Sequence, residues 1–428
     1  MDVSRRGLLG AGFAASVAAL TGCGTATPPP SPARSSSPSP TPLPTVDGVA
    51  LSGALEATLA RYLEPSAENP DHPTYAGAVA LVTIGGRRVA GAVVGEALRY
   101  GAGPVLLPPE RRVPMREDSI FDLASLTKIY TAIALLRLVD DGTVELTAPV
   151  RGYLPAFGGP DGVTVARVLT HTSGLPVGPD LAGASTVERR WQAVLATQLV
   201  AGAVPGTAFR YSSVGLMLAG LIVERFTGGR LDEAIRGQVT GPLGLHDTGF
   251  TPVTWLPSDQ RERLVATDAR SSRGLLRGEV HDQVCHQLGD IAGHAGMFST
   301  AAEVAAIGQL LLGGGALGGA RLLSPQLAER VLTNANVGLP ALDSDVPTRT
   351  SDHGLGVVLN QPWFMGGLTS PETFGHTGFS GTSIVCDPHR GLVLVLLTNR
   401  AHPNWEWADP NPVRARVATV VADHVILP

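Results

Sequence analysis

Leucines at 51, 55, 59 and 63 recur every fourth residue, tracing one face of a helix, so a helix is expected over residues 51–63. Two apolar runs of strand length follow, 78–84 and 88–94, joined at Gly85-Gly86; that pattern predicts a hairpin. The second run should end at Val93-Val94, before a Gly/Pro-rich loop through Pro114. Ile129, Ala132, Ile133, Leu136 and Val139 then return to helical spacing, with Asp141-Gly142 as a stop, so a helix should run from about Ser125 to Asp140. Helical patterning dominates the next stretch, at 163–169, 185–199, 214–226, 231–239 and 301–312. Strand character returns at 374–381 and 382–386, with a turn at Asp387-Pro-His-Arg-Gly391 and an all-apolar run at 392–397. Such a run suits the centre of a sheet covered on both faces. Residues 413–424 read as a closing helix. The pattern predicts an α+β fold, an antiparallel β-sheet flanked by terminal helices with an inserted, mainly helical subdomain.

The patterned region begins near Val49. Before it, Ser4-Arg-Arg-Gly-Leu-Leu9 resembles a twin-arginine export motif, and the apolar run 8–20 is too short for a permanent membrane span. It closes with Leu20-Thr-Gly-Cys23, which resembles a bacterial lipobox, so Cys23 is the expected lipidation site after cleavage. Pro, Ser and Thr dominate residues 28–44, a composition that forms extended, semi-rigid spacers. The expected organisation is therefore a lipoprotein signal peptide at 1–23, a linker at 24–48 and a folded domain at 49–428. The chain would be exported and lipid-anchored to the outer face of the bacterial cytoplasmic membrane. A net charge of −5 lacks the basic footprint of a nucleic-acid binder, and a monomer is expected. Whether Cys285 and Cys386 form a disulfide is open at this level.

Chemistry enters with the lysine count. Lys128 is the only lysine in the chain. Fifty-two Gly, 34 Pro and arginine in place of lysine fit the codon bias of a GC-rich genome, which explains the scarcity but not the position. Arginine holds its proton at neutral pH, whereas a lysine amine can be tuned into a base. Lys128 lies three residues after Ser125, so both side chains share a helix face, and no acidic residue lies within four positions of the lysine. A serine hydroxyl needs such a base to become a nucleophile. Tyr211-Ser-Ser213 follows Pro205-Gly206 at an expected helix start and offers a second proton-transfer group. Gly375-His-Thr-Gly-Phe379 opens the last hairpin, where small residues let a substrate backbone approach and the Phe379 N–H could complete an oxyanion hole.

Taken together, Ser125-Leu-Thr-Lys128, Tyr211-Ser-Ser213 and His376-Thr-Gly378 resemble the class C β-lactamase-like serine hydrolases, which include low-molecular-weight penicillin-binding proteins, D-amino-acid peptidases and esterases. Leu169-Thr-His-Thr-Ser-Gly-Leu175 and Gly293-His-Ala-Gly-Met-Phe-Ser299 support the likeness, which spans roughly residues 50–425. The resemblance implies acylation of Ser125, proton transfer shared by Lys128 and Tyr211, and substrate binding by Ser213, His376, Thr377, Gly378 and Phe379. It implies no cofactor. Two departures stand out. Ser213 occupies a position where many members carry Asn, and His376 one where many carry Lys. A histidine would be partly charged at neutral pH and would anchor a substrate carboxylate less firmly.

His281, Asp282, His286 and His294 lack clean zinc spacing, so the resemblance makes them cleft-lining or structural and no metal is expected. No Gly-x-Ser-x-Gly elbow and no His-Glu-x-x-His occurs, against an α/β-hydrolase or a zincin. The expected substrate is a small peptide, a β-lactam or an ester, with cell-wall stem peptides fitting the location. The alternative of a different class is a penicillin- or wall-binding protein with little turnover.

Overall fold

Gly85 and Gly86 both adopt positive φ, 54° and 77°, the backbone that a two-residue hairpin turn demands and that glycine adopts without strain. They fold Gly77–Ile84 back against Arg87–Leu98 in antiparallel register. The computed structural model describes residues 44–342 and 349–427; Cys23, the leader and most of the Pro/Ser/Thr-rich segment lie outside the described residues.

The hairpin belongs to a seven-stranded sheet. Its order is Val358–Leu359, Phe374–Thr377, Ser383–Asp387, Leu392–Thr398, Gly77–Ile84, Arg87–Leu98 and Val113–Pro114, every pair antiparallel. The strand Leu392–Thr398, which holds the apolar run 392–397, is central and fully buried, as that run predicts. Strand alternation divides the core in two. Ala78, Ala80, Val82, Leu392, Leu394 and Leu396 face the terminal helices Gly48–Ala60 and Asn411–His424, meeting Leu51, Leu55, Leu59, Val417 and Val421. Val79, Leu81, Val393, Val395 and Leu397 face the larger core, built from helices Thr127–Asp140, Ser213–Thr227 and Ala301–Leu312. The α+β architecture is the one the hydrophobic pattern implies.

Some boundaries differ. The second strand does not stop at Val94; it continues to Leu98, and Val113–Pro114 pairs with its far end. Gly95 makes this possible. Its φ is +72°, and a Cβ there would lie 2.2 Å from the Ala76 carbonyl oxygen, so the residue that looks like a strand breaker is the bend that carries the strand on. The expected helix 185–199 is shorter, Val187–Leu195. Strand 374–381 ends at Thr377, because Gly378 begins the turn. Cys285 and Cys386 are both buried, free thiols.

Candidate active site

Ser125 sits in a 3-10 turn, Ala124–Leu126, that runs directly into helix Thr127–Asp140. The turn is tight because Ala124 has φ +46°, a left-handed conformation that costs an L-residue about 1–2 kcal/mol. Asp122 holds it there. One carboxylate oxygen accepts the Ala124 N–H at 2.8 Å, the other accepts the His281 N–H at 2.7 Å, and the Asp122 carbonyl accepts the Ser380 hydroxyl at 2.7 Å. Burial pushes the Asp122 carboxyl above its usual value despite those two N–H donors.

The helix places Lys128 one turn on, 1% exposed, with Nζ 2.9 Å from Ser125 Oγ. The same Nζ donates to the His294 carbonyl at 3.0 Å. Tyr211 Oη also reaches Ser125 Oγ, at 2.9 Å. Tyr211 lies just before helix Ser213–Thr227, whose cap is Ser212: its Oγ accepts the Gly215 N–H at 3.3 Å and its own N–H donates to His171 Nδ1 at 3.1 Å. The His171 ring lies 4.6 Å from the Tyr211 ring and fixes its orientation. His171 is held neutral because burial drives its pKa well below the usual value.

Ser125, Tyr211, His376, Thr377, Gly378 and Phe379 line one cavity of ≈ 270 Å³. Gly378 has no substitute there, since a Cβ would lie 2.1 Å from Thr382 Oγ1 and 2.4 Å from the Leu123 carbonyl oxygen. His376 departs from the expectation of a partly charged anchor. It is 3% exposed, and burial, reinforced by the charge of Lys128, drives its pKa down to about 3. With Nδ1 donating to the Thr377 carbonyl at 2.8 Å, it presents a neutral imidazole throughout the neutral range. Ser213 begins the helix, donates its N–H to the Val177 carbonyl at 2.9 Å, and is not part of the cavity lining.

The cavity's positive charge comes instead from arginines that the motifs do not reveal: Arg349, Arg400 and Arg414. Burial lowers Arg400 to about 10 and Arg414 to about 9, which leaves both cationic at pH 7. Arg414 also donates to the Gly378 and Thr382 carbonyls at 2.6 and 2.9 Å, bracing the turn after the strand. Its signal in the sequence is faint: Asn411 and Arg414 share a face of the closing helix at i, i+3, bonded at 2.8 Å. Gln361 and Trp363 line the cavity as well, from the start of the one-turn helix Pro362–Met365, which the hydrophobic pattern leaves blank.

The histidine-rich segment has definite places. Asp282 caps the short helix Gln283–Gln287 and bonds His294 Nε2 at 3.2 Å; His286 pairs with Asp290 at 2.7 Å. His281 stacks on Phe379, ring centroids 5.4 Å apart. Chemically, a half-buried serine with an amine and a phenol both at hydrogen-bond distance is the arrangement of an activated oxygen nucleophile.

The profile of a family described as Beta-lactamase matches residues 59–419. The chain is 30% identical over 341 residues to a protein of Escherichia coli (strain K12) named "Putative D-alanyl-D-alanine carboxypeptidase", covering 72% of this chain and 74% of that one. It is 30% identical over 356 residues to an N-acetylmuramyl-L-alanine amidase of Bacillus subtilis (strain 168), covering 77% and 78%. A penicillin-binding protein homolog from Caulobacter crescentus shares the fold at a TM-score of 0.66 and 24% identity, covering 88% of this chain and 98% of that one.

Proposed function

The chain belongs to the β-lactamase family, and from that premise we propose that this serine hydrolase acts through an acyl-enzyme on Ser125. Its substrates are D-amino-acid peptides of the cell-wall stem-peptide type, and β-lactams that mimic them. The observation that carries the reading is the pair of 2.9 Å contacts from Lys128 Nζ and Tyr211 Oη to Ser125 Oγ. Lys128 takes the Ser125 proton as Oγ attacks the carbonyl carbon; the main-chain N–H groups of Ser125 and Phe379 hold the oxyanion. Tyr211 relays a proton to the leaving amine, the C–N bond breaks, and water later releases the acyl group by the reverse path. A substrate carboxylate is met by Arg349, Arg400 and Arg414, since His376 is neutral. Relatives named for carboxypeptidase and amidase activity support this class.

A second reading, an esterase or D-aminopeptidase, is favoured by that neutral imidazole at a position where many members carry lysine. The place of action is the outer face of the cytoplasmic membrane, with Cys23 lipidated. Mass spectrometry of the protein incubated with a fluorescent penicillin, a D-Ala-D-Ala peptide and a p-nitrophenyl ester decides among them. A Ser125 adduct that Ser125→Ala abolishes is expected. An adduct on Ser173 or Ser213 would refute the mechanism, and turnover of the ester alone would establish the second reading. Cys23→Ala should move the protein out of the membrane fraction with its acylation rate unchanged.

A further inference from the structure

The amine of Lys128 makes a contact that proton transfer does not require, its 3.0 Å hydrogen bond to the His294 carbonyl. His294 is 2% exposed, and its ring is tied by Nε2 to Asp282 Oδ1 at 3.2 Å. The same oxygen accepts the Cys285 N–H at 2.7 Å, so Asp282 is itself fixed at the head of the helix Gln283–Gln287. Three links therefore run from a helix cap to the nucleophile: carboxylate to imidazole, carbonyl to amine, amine to hydroxyl. We propose that Asp282 and His294 are positioning residues of the reaction, holding Lys128 against Ser125 by geometry and by the negative charge of Asp282. The proposal rests on the reading of Lys128 as the base.

Asp282 stays ionised: burial opposes its charge, but His294, the Cys285 N–H and Lys128 together hold it far below the usual carboxylate range. The other groups facing Lys128 are accounted for. Ser125 and Tyr211 share its proton traffic, with the Tyr211 ring 5.0 Å from Nζ. His171 and His376 are neutral. Arg349 lies 5.7 Å from the Tyr211 ring. The Asp122 carboxylate is engaged by the Ala124 and His281 N–H groups. Asp282 is thus the carboxylate tied to the amine through a single residue, and its side chain also borders a second cavity beside Phe379.

The test is the acylation rate with a fluorescent penicillin from pH 5 to 10, for the native chain, Asp282→Asn, Asp282→Ala and Asp282→Glu. Asparagine still caps a helix and still accepts from His294, so Asp282→Asn removes little but charge. Without that charge the protonated amine loses support, and the acidic limb of the rate profile should move to lower pH by about half a unit or more. Asp282→Ala, which also frees His294, should slow acylation about tenfold or more at its optimum, and Asp282→Glu should recover part of the loss. An unmoved limb in Asp282→Asn overturns the proposal, as does a native rate in Asp282→Ala; if circular dichroism shows the alanine variant unfolded, the asparagine profile alone decides. Failure of the underlying mechanism looks different, because Lys128→Arg would then keep most of the native acylation rate.

Discussion

Lysine and arginine carry the same charge at residue 128 but only lysine can surrender it, so Lys128→Arg should lose about a hundredfold or more in acylation rate, close to the loss in Lys128→Ala. Retained activity in the arginine variant would reduce Lys128 to an electrostatic partner. Next to Ser125, Ala124 stores strain at φ +46°. Ala124→Gly should relieve it and stabilise the fold by up to about 1 kcal/mol, the rest offset by glycine's greater freedom when unfolded. A looser Ser125 should then acylate more slowly, and a melting curve with a stopped-flow trace reads both effects. At His376 the neutral imidazole makes a flat result the expected one: between pH 6 and 8 the ratio of kcat/KM for a penicillin to that for a neutral ester should not change. A steep fall in that ratio would mean the imidazole is protonated in the complex. That Ser125, Lys128 and Tyr211 come together was legible in the sequence, because residue type and motif spacing mark all three. The charge state of His376 was not, since it is set by burial that distant segments impose.

At the scale of elements, Arg414 reaches out of the closing helix to hold the turn that aligns Thr377, Gly378 and Phe379. Arg414→Met would leave the Gly378 and Thr382 carbonyls without that donor, so stability should drop by about 2 kcal/mol or more by urea denaturation. Acylation should weaken as the turn drifts. A variant as stable as the native chain would show the bracing to be dispensable. Element types were readable wherever periodicity was strong, as in Ala301–Leu312, which matches its expected limits. They were misread where a glycine sustains an element rather than ending it: Gly95 belongs to a strand because the sheet needs a bend there. The arginines of the cavity escaped notice for a related reason, since they meet through the sheet's topology and share no motif.

At the scale of the molecule, four buried histidines among the described residues are kept neutral. Burial holds His171 far below its usual value, His353 at about 4, and His376 and His402 at about 3. Each folded-state pKa lies below the unfolded one, so the unfolded chain binds protons first and stability falls as pH drops below about 6.5. By pH 5 each such histidine should cost about 2 kcal/mol. His402→Gln should flatten part of the slope, because Nε2 of His402 accepts the Arg99 and Tyr100 N–H groups and glutamine can still accept. Denaturant titrations at pH 5, 6, 7 and 8 measure it; equal slopes in both proteins would exclude His402 as a contributor. The fold as a whole was legible because the central strand and its two covering layers follow from hydrophobic pattern alone. Its acid sensitivity was not, because a histidine's neighbours come from the far end of the chain. The three-way joint at Asp122, where the turn that carries Ser125 meets Ser380 and His281 on one buried residue, has a consequence for descent. Segments near residues 124, 281 and 380 cannot drift separately, so substitutions among them should combine non-additively. A lineage that acquires a new substrate here would change those three segments together or leave all three alone.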